Sequence, residues 1–265
     1  MKENLVSLPM RFFVTGTFVV MVVVNALANA LPLNGRQTGE VSDAYPNLFA
    51  PAGITFAIWG LIYALLALHV LYQWGLFRQS GQQHSILLEK VGLLFSLSSL
   101  ANTAWVFAWH YDLIGLSALL IISILALLIL VNRTIRNLRM TTGERLLVQV
   151  PFSVYFGWIT VATVANITVW LVSIKWSGFG LAESIWAVAI IAVAATIGTI
   201  TMLKNRGMAY GLVLIWAFIG ILIKHTSTNG FDGAYNEVIV TTIGCLAVFL
   251  AAELFIVLRK RHVGS

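Results

Sequence analysis

From Pro51 to Gln73 the chain reads PAGITFAIWGLIYALLALHVLYQ, a run with no fixed charge. An apolar run of about 20 residues crosses a hydrocarbon core of roughly 30 Å as an α-helix, so the stretch reads as a membrane span. Within it Pro51, Thr55, Trp59 and Tyr63 recur every four residues, which on an α-helix places them on one face. A bilayer does not ask for such a face, whereas a binding site does.

The rest of the sequence repeats the signal. Hydrophobic residues make up 59% of the chain and charged ones 10%, against roughly 25% charged in an ordinary soluble domain, and the mean hydropathy is +0.90. Eight runs of spanning length appear, near Phe12–Leu31, Pro51–Gln73, Ile86–Trp109, Leu113–Asn132, Leu146–Val172, Leu181–Leu203, Met208–Lys224 and Tyr235–Leu258. The expected fold class is an all-α integral membrane protein of eight transmembrane helices.

Basic residues set the expected topology, because Lys and Arg collect in short cytoplasmic segments. With the N-terminus inside, the inner segments hold Lys2, Arg11, Arg78, Lys90, Arg133, Arg136, Arg139, Arg145, Lys204, Arg206, Arg259, Lys260 and Arg261, which is 13 of the 16. Only Arg36, Lys175 and Lys224 fall outside, beside six of the ten acids. Both termini are therefore expected in the cytoplasm of a cell with the protein in its plasma membrane, prokaryotic by expectation. The net charge of +6 follows from this asymmetry and from attraction to anionic lipid headgroups; no folded basic domain is present to bind nucleic acid. The first run closes in ALANA, which resembles a signal-peptidase site at Ala28 and Ala30. At about 20 residues it is long for a signal peptide, and a retained first helix is expected. Cys245, the single cysteine, is expected to be a small buried apolar residue.

The connection Pro32–Ala50 is the longest, polar and turn-rich. It can fold over the outer end of the helices as a lid or stay a solvated loop, and the sequence favours neither. Near Lys175 the texture changes: the first five spans carry Asn25, Asn29, Asn102 and Asn166 and six of the nine tryptophans, and the last three are richer in Ala, Val, Ile and Gly. The expected organisation is a five-helix membrane bundle over residues 1–175 and a three-helix addition over residues 176–265.

Depth separates two kinds of tryptophan. At ~1.5 Å per residue, Trp109, Trp170, Trp176 and Trp186 fall within a turn or two of the outer surface and Trp74 near the inner one, as expected of an interfacial belt. Trp59 lies ~12 Å deep and Trp158 near the midplane. Asn102, Asn166 and Asn25 are also ~9–12 Å deep, where an amide costs several kcal/mol unless paired or facing a polar cavity. Asn102, Trp105 and Trp109 follow i, i+3, i+7, and Trp158, Ala162, Asn166 and Trp170 follow steps of four, so each helix presents an amide and aromatic face. Singly the asparagines read as interhelical bonds; together with the deep aromatics they suit a planar or polycyclic apolar ligand with few polar groups.

These residues resemble the TspO/MBR family, the tryptophan-rich sensory proteins called translocator protein in mitochondria. Pro51, Trp59 and Tyr63 match its second-helix pattern, Asn102 and Trp105 its third, and Trp158, Asn166 and Trp170 its fifth, with RTIRNLR between spans four and five. Departures are Gly53 for a tryptophan, Ala57 for a second proline, Trp109 near a usual Phe-Phe pair, Pro151 displaced by about one turn, and three further spans. The resemblance implies binding of tetrapyrroles such as protoporphyrin or haem, or of sterol-like lipids, in a cavity of the bundle, often as a homodimer, with no cofactor required. Some members are ascribed a light-dependent breakdown of porphyrin. Trp59, Asn102, Trp105, Trp158 and Asn166 inherit a ligand-contact role by the resemblance, and Asn25, Thr55 and Tyr63 join them as candidate ligand-binding residues by depth and face.

The alternative is a secondary transporter of a small hydrophobic or amphipathic molecule, for which Glu253 is a candidate ionisable group in the last span. Catalytic residues are not nominated: there is no HExxH, no phosphate loop, and His69, His84, His110, His225 and His262 are scattered without metal-ligand spacing.

Overall fold

The computed structural model describes residues 6–31, 33–77, 85–136, 138 and 140–263. Lys2, Arg78, His84 and Arg139 lie outside the described residues, as do the side chains of Lys260, Arg261 and His262. Ten α-helical segments follow in order: α1 Leu8–Ala30, α2 Thr38–Asp43, α3 Ile58–Gln73, α4 Ser85–His110, α5 Ile114–Arg136, α6 Thr142–Glu144, α7 Val150–Ser173, α8 Glu183–Asn205, α9 Met208–Thr226 and α10 Asn236–Val263. Among the described residues eight stretches are long and apolar enough to cross a membrane, each overlapping one of the eight expected runs.

The chain packs as two compact units. The first comprises Met1–Val41 and Ile58–Phe156, the second Ser42–Ala57 and Gly157–Ser265. The division between them falls within α7.

In the first unit α4 lies against both α1 and α5. Gly92 lets α4 approach α1: a Cβ there would stand 3.1 Å from Val14 Cγ2. At the end where α3 finishes, Thr141 and Glu144 form a reciprocal capping box, with Thr141 N donating to Glu144 Oε2 at 2.8 Å and Glu144 N to Thr141 Oγ1 at 3.3 Å. Tyr72 Oη donates to the other oxygen of Glu144 at 3.1 Å, so this buried carboxylate ties α3 to α6. A π-turn at Arg145–Gln149 follows, and His69 Nδ1 donates to the Leu147 carbonyl at 3.0 Å. That bond fixes the Nδ1–H tautomer and leaves Nε2 to accept from Gln73 Nε2 at 2.8 Å. His69 is thus a structural pin set against the rings of Phe95 and Phe152.

The second unit is built on close approach at glycine. A Cβ on Gly157 of α7 would stand 3.0 Å from the Tyr210 carbonyl oxygen of α9, and one on Gly198 of α8 would strike Leu214 and Phe249. Phe218 of α9 packs edge-on to Phe249 of α10 at 4.9 Å. With lipid as apolar as the helices, such packing and a few interhelical hydrogen bonds supply the association. Ala194 and Gly198 of α8 are buried, and Gly211 of α9 faces the side chains of Met202 and Glu253 within this unit. Cys245 is half-buried, because its turn of α10 is only partly covered.

One expectation from Pro51–Gln73 fails. Residues Gly53–Ala57 form a 3₁₀ turn, and the α-helix begins at Ile58. A 3₁₀ turn advances ~120° per residue instead of ~100°, so Pro51 and Thr55 are out of register with the face that carries Trp59 and Tyr63. The cause lies in the second unit, where Ala52 N donates to the Gly220 carbonyl at 3.0 Å, Trp216 Nε1 donates to the Thr55 carbonyl at 2.9 Å, and the Thr55 side chain is pressed on Gly220.

Candidate functional site: an amide and aromatic cluster

Asn25 of α1 and Asn102 of α4 meet inside the first unit. Asn25 Nδ2 donates to Asn102 Oδ1 at 2.7 Å and also to the Met21 carbonyl at 2.9 Å. Asn102, 1% exposed, turns its own Nδ2 toward Tyr155 Oη at 3.4 Å. The three groups form a chain in a low-dielectric interior, where each bond is stronger than in water and each missing one costs more.

The aromatic half of the cluster continues from Tyr155. Its ring lies 6.1 Å from that of Trp59, which stacks on Tyr63 at 5.4 Å with planes 22° apart. Trp59 and Tyr63 are one turn apart on α3 and remain half-buried. One turn along α4 from Asn102, Trp105 stacks on Trp109 at 5.6 Å. Tyr63 Oη and Trp105 Nε1 are buried and lack a hydrogen-bond partner among the described residues. A buried donor left without an acceptor costs about 1–3 kcal/mol, so each can be stabilised by an incoming acceptor.

The eight candidate residues therefore divide. Asn25, Trp59, Tyr63, Asn102 and Trp105 belong to the first unit, and Asn25–Asn102 and Trp59–Tyr63 are in direct contact. Thr55, Trp158 and Asn166 belong to the second, all three buried, with Trp158 edge-on to Phe56 at 5.8 Å. Sequence reasoning missed Tyr155, which links the asparagines to the tryptophan. Its signal was present: it stands three residues before Trp158 and extends the helical series Trp158, Ala162, Asn166 by one step.

Trp109 is not a belt residue. It is 5% exposed, and its Nε1 donates to the Thr38 carbonyl at 3.1 Å. Around it the first half of the long connection is strapped to the end of α4. Asn34 Nδ2 donates to the His110 carbonyl at 3.0 Å, Thr38 Oγ1 pairs with His110 Nε2 at 3.0 Å, and Arg36 pairs with Asp112. The second half is held in its own unit, where His225 Nε2 donates to the Leu48 carbonyl at 2.9 Å. Of the two readings of this connection, a folded cover describes the first half.

The described residues contain no group of three or more His, Cys, Asp or Glu that could hold a metal. A family model described as TSPO-like protein matches residues 11–256, a range that takes in α2 to α9 whole and most of α1 and α10. Neither the curated proteins nor the solved structures offer a match. The chain belongs to the TSPO-like protein family.

Proposed function

We propose that this TSPO-like membrane protein is a receptor or sensor for a planar or polycyclic hydrophobic ligand, a tetrapyrrole or a sterol-like lipid, bound against the amide and aromatic cluster of the first unit. The observation that carries the reading is the pair of buried, unpartnered donors, Tyr63 Oη and Trp105 Nε1, set among stacked aromatics. Flat rings supply dispersion and area to a flat ligand, and a few fixed donors orient its polar edge. Trp59 and Tyr63 offer the stacking surface, and Asn102, held by Asn25 and Tyr155, is preorganised. No catalytic step is assigned to any residue, and both termini are placed in the cytoplasm by the distribution of Lys and Arg.

Titration of the detergent-purified protein with protoporphyrin tests this. Tryptophan fluorescence is expected to quench saturably, with affinity at least tenfold lower in Trp59→Ala. Saturation unchanged by that substitution, or no quenching at all, rejects the tetrapyrrole reading.

One observation favours a second reading, transport. Glu253 of α10 is 8% exposed, with its carboxylate against Gly211 of α9, and buried ionisable groups in spans mark coupling sites. Counterflow in proteoliposomes that Glu253→Gln abolishes supports transport; counterflow that survives the change removes Glu253 from it.

A further inference from the structure

Where α7 ends and α8 begins, the second unit holds a cavity of about 240 Å³ whose walls contribute nothing to the cluster described above. Leu48 and Phe49, both buried, close one side, Leu171 the next, and Trp186 of α8 a third. The indole of Trp186 is fixed. It stands 61° to that of Trp176 with centroids 4.7 Å apart, and its Nε1 donates to the Gly178 carbonyl at 2.5 Å. Gly178 has φ +60°, and a Cβ there would lie 2.6 Å from Trp186 Nε1, so this residue must be glycine for the ring to seat.

The polar groups of the wall sort cleanly. Asn47 spends its side chain locally, accepting from Phe49 N at 3.1 Å and Ala50 N at 2.9 Å and donating to the Tyr45 carbonyl at 2.9 Å. Thr168 Oγ1 donates to the Val164 carbonyl at 2.9 Å. Two polar wall residues remain, Ser177 and Glu183, both exposed at the mouth of the cavity and without a side-chain partner among the described residues. The cavity is thus aromatic and aliphatic with one anionic group and one hydroxyl.

Size narrows the guest. Pockets for drug-sized ligands run to roughly 300–1,000 Å³, so 240 Å³ is too small for a tetrapyrrole and suits one or two fused rings. We propose that this cavity is a binding site for a small ammonium-headed amphiphile, its apolar body between Phe49, Leu171 and Trp186 and its cationic nitrogen paired with Glu183. Indole faces attract a cation as well as an apolar ring, and a carboxylate beside them selects the ammonium over a neutral isostere. The ammonium can come from a free aromatic amine or from a lipid headgroup.

The test uses the full chain in phosphatidylglycerol nanodiscs, which carry no ammonium group, titrated calorimetrically with 1-naphthylmethylamine. Saturable binding is expected, at least tenfold weaker in Glu183→Gln. The neutral 1-naphthylmethanol should bind the parent at least tenfold more weakly than the amine does, and the parent and Glu183→Gln alike. Val172→Trp, which fills the cavity from a partly exposed position, should abolish binding while leaving the melting temperature and protoporphyrin quenching unchanged. Replacing part of the lipid with phosphatidylethanolamine decides the source: competition with the amine identifies the headgroup as occupant, and its absence identifies a free amine. Non-saturable partitioning, equal in the parent and both variants, overturns the site.

Discussion

The two units bury helix surface in the same solvent by different means. The first places amides and phenols inside, Asn25 on Asn102 on Tyr155, and leaves two ring donors unsatisfied. The second makes room at glycine: Gly157 faces the Tyr210 carbonyl oxygen, Gly198 receives the side chains of Leu214 and Phe249, and Gly211 those of Met202 and Glu253, with Phe218 packed edge-on to Phe249. Glycine contacts give tight packing that admits no added atom. The polar cluster gives directional bonds that hold shape while keeping chemistry available, at a cost in stability. The contrast separates packing by directional polar bonds from packing by close approach at glycine.

The largest expected effect breaks the glycine side of that contrast. Gly157→Val puts a branched side chain 3.0 Å from a backbone oxygen that cannot swing aside, and overpacking of this kind costs about 3 kcal/mol. Thermal unfolding in detergent should drop sharply; a melting point equal to the parent's would mean that the α7–α9 approach is not rigid. Gly60→Ala on α3, where a Cβ meets nothing within 4 Å, should leave the melting point unchanged or raise it, since helical alanine is favoured by up to ~1 kcal/mol.

Next comes the polar side. Asn25→Ala and Asn102→Ala are each expected to cost about 1–2 kcal/mol, with a coupling energy near 1 kcal/mol in a double-mutant cycle. Strict additivity would show that the 2.7 Å bond adds nothing beyond its parts. Protoporphyrin affinity should fall in Asn102→Ala even where the fold survives.

The smaller effects concern the connection. Trp109→Phe removes the bond to the Thr38 carbonyl, worth about 1 kcal/mol, and should speed tryptic cleavage at Arg36 several-fold. Asp43→Asn removes only the 3.5 Å pairing of an exposed carboxylate with Lys224, for which ~0–0.5 kcal/mol is the expectation, and should not change that cleavage. Equal acceleration by both would indicate that the connection is held by charge and not by Trp109.

The candidate site was half legible. Burial of Asn25, Asn102, Trp158 and Asn166 could be read from depth, because an amide in hydrocarbon has nowhere else to go. Trp109 was misread because distance along a helix locates a side chain relative to the bilayer but not relative to a loop folding back over it. The face from Pro51 to Tyr63 was misread because spacing of four assumes an α-helix throughout, and bonds to Gly220 and Trp216, far away in sequence, turned its first part into a 3₁₀ turn.

Sequence alone determined that the chain is helical, holds eight stretches long and apolar enough to cross a membrane among the described residues, and carries the aromatic and amide patterns of its family, since each of these depends on local composition and period. Tertiary structure alone decided that Tyr155 joins the asparagines to Trp59, that the connection is clasped by His110 and Trp109, that the packing boundary runs through α7, and that a half-open cavity forms beside Trp186. Those depend on which distant residues arrive at the same point, and a short-range pattern holds no record of that.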